Sequence, residues 1–179
     1  MIVSLESFNA YSGNWEDSDR AKECKTMFLE AAEAVVKDYL GYDPTLHEET
    51  LELEGDLKKG IWLPARNILE IKSVEVNGHE LPPDEYRLSG EKLLSSKHSQ
   101  IPFISGTFTI TFLAGWSNDE MPALILLSIL RIATLMLTEG SGNIGLTGKS
   151  FADNSRTFVN YANYRKYLHP LDSLRIMRF

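Results

Sequence analysis

With 179 residues, 43% hydrophobic and 24% charged, the chain has the composition of a folded protein of one domain with arms, or of one and a half domains. Its net charge of −7 argues against general nucleic-acid binding, and its single cysteine, Cys24, excludes an intramolecular disulfide framework. The opening Met1-Ile-Val-Ser-Leu-Glu-Ser-Phe8 has no basic stretch ahead of an apolar core, so no secretory signal is expected and the chain reads as cytosolic in origin.

Ser4 can cap a short helical turn carrying Leu5, Phe8 and Tyr11, and Asp17 or Ser18 can cap a longer helix over about 19–40. In that helix Ala21, Cys24, Phe28, Ala31, Val35 and Tyr39 recur at threes and fours, which predicts a buried face holding Cys24 as a small apolar side chain. Glu33 and Lys37 then form an i,i+4 pair on the outside, and Gly41 with Pro44 ends the helix.

A β region follows. Leu51–Glu54 alternates, Gly60–Pro64 is a short apolar run, and Ile71–Val76 leads into Asn77-Gly78, the preferred two-residue type I′ hairpin turn. His79 is expected to be exposed beside that turn. Pro82-Pro83-Asp84 turns the chain, and short strands lie at Tyr86–Leu88 and Leu93-Leu94. Thr107–Leu113 sets Phe108, Ile110 and Phe112 against Thr107, Thr109 and Thr111, a strand with one buried and one wet face.

After Met121-Pro122 comes a helix apolar on nearly every side, from Leu124 to Leu137. It is interrupted by Arg131 and falls short of the roughly 20 residues needed to span a bilayer. Ser128, Arg131, Thr134 and Thr138 share one narrow polar stripe. An ordinary surface helix buries about half its circumference, so this one needs a large core, a membrane or neighbouring subunits. A chain of this size offers only a modest core, which favours subunits, and the stripe around Arg131 faces a channel or a neighbour unless Arg131 merely snorkels at the core edge. Next, 139–150 holds four glycines in twelve residues and reads as a flexible connecting loop. A second helix is expected over about 156–168, ended by Pro170, and an apolar tail runs from Leu171 to Phe179. Residues 149–179 carry six basic against two acidic side chains, a balance of +4, while the rest of the chain stands at −11. A basic arm on an acidic body points to an acidic contact, or to a solvated tail.

Motifs for chemistry are weak. Gly140-Ser-Gly-Asn-Ile-Gly145 matches a dinucleotide fingerprint as a string, but a helix precedes it where that fingerprint needs a strand. Gly148-Lys149-Ser150 resembles the end of a phosphate-binding loop whose first glycine would fall at Asn143. His47, His79, His98 and His169 stand far apart, so no metal site is expected. Glu52 and Glu54, with Glu48, Glu49 and Asp56, read as a solvated strand face, and no nucleophile elbow is present. No catalytic residue, cofactor or metal is assigned, and the chain is read as a non-enzyme. An alternative is a small-ligand or carbohydrate-binding module built on Trp62, Tyr86 and Trp116.

Taken in order, several of these pieces resemble the head–tail connector (adaptor, head completion) proteins of long-tailed double-stranded DNA phages. The pieces are Met1–Tyr11, Ala31–Gly41, Ile61–Pro64, Ile71–Gly78, Pro83–Leu88, Thr109–Trp116 and Met121–Leu124. The resemblance covers about residues 1–138. It implies an α+β fold: a small helical bundle with an inserted antiparallel β region and an extended C-terminal arm. The corresponding parts are a helical part at 1–46, the β region at 47–116, central and C-terminal helices at 117–168, and the arm at 169–179. It implies a structural virion protein, a closed ring of about twelve subunits in the neck, assembled in the bacterial host cytoplasm. The implied partners are the portal protein and the next neck or tail-completion protein, with DNA passing through without sequence-specific binding and no membrane. The expected portal or subunit interface is Arg165, Lys166, Leu171, Leu174, Arg175, Ile176, Met177, Arg178 and Phe179. The expected channel or intersubunit stripe is Ser128, Arg131 and Thr138.

Overall fold

In the computed structural model, which describes residues 1–96, 105–139, 147–151, 154–158 and 163–176, the chain is a mixed α+β protein with helices and antiparallel sheets. It divides into two units, Met1–Leu40 with Pro122–Arg175, and Gly41–Met121 with Ile176–Phe179.

The first unit is mostly helical. Helix α1 (Leu5–Ser12) starts where Ser4 Oγ accepts from the Ser7 amide at 3.1 Å and stops at Gly13, whose φ of 69° suits a residue without a side chain. Helix α2 (Asp19–Leu40) is capped by Ser18, which accepts from the Ala21 amide at 3.3 Å. Helix α3 (Ala123–Thr138) packs on α1 and α2, and helix α4 (Asn163–Leu168) packs on α3. Phe8, Leu29, Ala32, Val36, Leu40, Ile125, Ile129, Ile132, Ala133 and Leu171 are fully buried. Burial of this size stabilises by roughly 1.5–3 kcal/mol per large aliphatic side chain.

The face of α2 that is buried is not the expected one. Lys25, Leu29, Ala32, Glu33, Val36 and Leu40 point inward, while Cys24 is exposed and Ala21, Phe28, Ala31, Val35 and Tyr39 are half-buried. Two charged residues on the true face disguise it. Both are satisfied by the N-terminal segment. Glu33 Oε1 accepts from the amides of Ile2 at 2.5 Å and Val3 at 3.1 Å. Lys25 Nζ donates to Asn9 Oδ1 at 2.8 Å, Asn14 O at 2.8 Å and Glu16 O at 2.7 Å. Buried polar groups persist where such partners exist, so Glu33 lies inside rather than on the outer surface with Lys37.

The expected second helix over 156–168 is also corrected. Thr147–Phe151 and Asn154–Phe158 pair as an antiparallel two-stranded sheet, β8 and β9 in chain order, and the helix among the described residues is Asn163–Leu168. The β-branched and aromatic Thr157 and Phe158 favour strand over helix. Residues 140–146, within the expected flexible loop, lie outside the described residues.

The second unit carries a four-stranded sheet of order β1 (His47–Asp56), β7 (Ser105–Ala114), β3 (Ile68–Val76) and β4 (His79–Glu80). Strands β1 and β7 pair over ten residues, from His47 opposite Ala114 to Asp56 opposite Ser105. The hairpin between β3 and β4 turns at Asn77 (φ 50°) and Gly78 (φ 78°), the left-handed pair that the sequence predicts. A three-stranded sheet runs β2 (Ile61–Trp62), β6 (Lys92–Ser95), β5 (Tyr86–Ser89). Phe108, Ile110, Phe112 and Ala114 of β7 join Val74, Val76, Leu57, Ile61, Leu63 and Leu93 in one core. The opposite face of β1 exposes Glu48, Thr50, Glu52 and Glu54. Gly115 closes this unit: its φ is 97°, and a Cβ there would meet Thr45 O at 2.2 Å.

Candidate functional site

Nothing among the described residues gathers three metal-ligating side chains. Glu52 and Glu54 stand in the exposed row of β1, and His79 is exposed beside its turn. Gly148-Lys149-Ser150 lies within β8 and leads into β9, so it does not present the helix N-terminus that a phosphate-binding loop requires. Gly140–Gly145 lies outside the described residues. The three rings of the alternative platform have different settings. Trp62 is 66% exposed with Lys92 Nζ 5.3 Å from its ring centre, Tyr86 packs against the β core, and Trp116 stands 6.3 Å from Tyr42 in a tilted pair.

The helical unit offers the more coherent surface. Inward, α3 buries Ile125, Ser128, Ile129, Ile132 and Ala133. Outward, Leu124 is 43% exposed, and Leu126, Leu127, Leu130 and Leu137 are half-buried. The central helix is therefore covered by its own chain on one side and left greasy on the other.

The polar stripe divides by depth. Ser128 is buried and its hydroxyl donates to Tyr167 O at 2.9 Å, which fixes the end of α4 on α3. Arg131 is half-buried, with its guanidinium 5.9 Å from the centre of the Tyr167 ring, within cation–π reach. Thr134 and Thr138 donate back along the helix to the carbonyls of Leu130 and Thr134, both at 2.8 Å, and Thr138 is exposed.

The basic C-terminal segment is partly tied down. A 3-10 turn at His169–Leu171 follows α4, and Leu171 is fully buried. Tyr39 of α2 donates a short hydrogen bond to Asp172, and Arg175 lies 4.9 Å over the Tyr39 ring. The Asp172 bond, then burial, raise the Tyr39 phenol above its ordinary range. Arg165, Lys166 and Arg175 are exposed, and Leu174 and Ile176 are half-buried. Met177, Arg178 and Phe179 lie outside the described residues. Sequence reasoning missed Lys25, Glu33 and the Tyr39–Asp172 tie. The available signal was two charges, eight residues apart, set among Leu29, Ala32 and Val36 on one helical face.

No family model and no curated protein sequence matches the chain. Solved structures do match its fold. A chain from the neck of an empty gene transfer agent (GTA) particle, computed with C6 symmetry, aligns over 99% of this chain and 91% of its own length, at a TM-score of 0.65 and 14% identity. A chain from the virion of the native GTA particle gives 0.66 at 13% identity, with the same coverage. A third, from the native GTA neck computed with C12 symmetry, gives 0.54 at 15% identity over 96% of this chain and 89% of that one.

Proposed function

We propose that this protein is a structural, non-enzymatic component of a virion neck, one subunit of a ring that docks on the capsid portal and carries the DNA channel toward the tail. The observation that carries the reading is the likeness over 99% of the chain to a protein of a GTA particle neck computed with C6 symmetry. Physical features support it. The outward face of α3 keeps Leu124, Leu126, Leu127 and Leu130 incompletely covered, and obligate subunit interfaces resemble a domain core cut in half. The exposed glutamates of β1 repel phosphates, so a channel bordered by them lets DNA slide without sticking.

In this reading the exposed Arg165, Lys166 and Arg175, with Leu174, Ile176 and the last three residues, contact the portal or the next subunit. Truncation before Pro170 is a poor test of that contact, because it removes the buried Leu171 and the Tyr39 tie along with the charges. Cosedimentation with portal-bearing capsids that lack the neck is cleaner. The purified chain is expected to pellet with such capsids and to stay in solution with capsids lacking the portal. Equal recovery in both would remove portal docking from the proposal.

A further inference from the structure

The loop between α1 and α2 is built to hold a tryptophan in water. Lys25, 1% exposed, donates its three bonds to Asn9 Oδ1 and the carbonyls of Asn14 and Glu16, the two residues flanking Trp15. With both neighbouring carbonyls turned onto one ammonium, Trp15 is left 65% exposed. Further bonds stiffen the loop: the Asn14 amide donates to Ser12 Oγ at 3.3 Å, the Glu16 amide to Asn14 Oδ1 at 3.1 Å, and Ser18 Oγ to Glu16 Oε1 at 3.1 Å. Burying a lysine without a carboxylate partner is costly. Holding the backbone on both sides of an exposed tryptophan suits an interface anchor, since tryptophan leads the residues that dominate binding energy and a fixed loop lowers the cost of association.

Charge identifies the occupant. Trp15 is followed by exposed Glu16, Asp17 and Asp19, of which Asp17 pairs with Lys22 at 3.0 Å, beside exposed Arg20; over 16–20 three acids stand against one base. The same unit carries the opposite surface at α4, where Arg165 and Lys166 are exposed and Lys166 Nζ stands 5.1 Å over the Tyr167 ring. Indole is the best partner for such cations. Two different, complementary patches on one chain make a head-to-tail contact, which closes into a ring when the rotation permits.

We infer that the Trp15 loop of one subunit docks on the Arg165–Lys166 edge of the next copy of this chain. This rests on the ring reading above and names the contact that closes the ring. The test uses the full chain, at high concentration and on portal-bearing capsids, scored by mass photometry and electron microscopy. Two charge-reversed chains are made, E16K/D17K and R165E/K166E, together with the chain carrying all four changes. Circular dichroism and thermal melting check that each is folded.

Each reversed chain alone is expected to lose ring formation. The fourfold variant and an equal mixture of the two reversed chains are expected to recover it. Trp15→Ala is expected to raise the concentration for half-assembly about tenfold or more. If wild type forms rings and the reversed chains or Trp15→Ala form them equally well, this contact is wrong and the ring stands. If wild type forms no ring under any of these conditions, the ring reading fails and the contact fails with it.

Discussion

Lys25 and Glu33 tie the first sixteen residues to α2 through five hydrogen bonds, and neither uses an opposite charge among those bonds. Lys25→Met keeps the stem and removes the ammonium, leaving three acceptors to find water. It is expected to cost about 2 kcal/mol in urea unfolding and to open the 13–18 loop to limited proteolysis. Wild-type protection of that loop in the variant would show that the clamp is incidental. Tyr42 gives a prediction in pH. Burial pushes its phenol up to about 12, and among the described residues its hydroxyl has no hydrogen-bond partner. The fold therefore holds the neutral form. Above the ordinary tyrosine value of about 10 the unfolded chain ionises first, so stability present below pH 10 falls as pH rises toward 12. Tyr42→Phe is expected to flatten part of that alkaline loss and to be neutral or mildly stabilising at pH 7, because no orphaned hydroxyl remains. A wild-type alkaline profile in the variant would assign the loss to other groups.

At the scale of elements, the β region was legible because its signals are local. The β7 alternation, the Asn77-Gly78 turn and the Ser4 and Ser18 caps each need only neighbours in sequence to act. The α2 face was not legible, because what buries Lys25 and Glu33 comes from 9–31 residues away along the chain. Counting apolar residues alone therefore selected Cys24 and Phe28 over Leu29 and Val36. β9 was missed for a related reason: Asn154–Phe158 is strand only because Thr147–Phe151 pairs with it. Of the polar residues of α3, Ser128 is buried because α4 delivers Tyr167 O to its hydroxyl, a partner that the sequence of α3 alone does not show. Gly115 tests the close approach after β7. Gly115→Ala must relieve both a φ of 97° and a contact with Thr45 O, and is expected to cost roughly 2–4 kcal/mol, read as a drop in melting temperature. A change within a degree of wild type would mean that the approach relaxes freely.

For the whole molecule, the two units present different surfaces. The unit of Gly41–Met121 and Ile176–Phe179 has a β core of its own and shows water a row of glutamates. The unit of Met1–Leu40 and Pro122–Arg175 holds the greasy face of α3, the exposed Trp15 and the basic α4 edge. The incompletely covered leucines of α3 and the exposed Trp15 are the apolar surfaces that the proposed ring would cover. The most direct measurement is electron microscopy, without imposed symmetry, of portal-bearing capsids incubated with the purified chain. A closed ring of this chain beneath the portal, with copies related by rotation about the channel axis, is expected. Capsids with a bare portal, or bound only by scattered single copies, would contradict it.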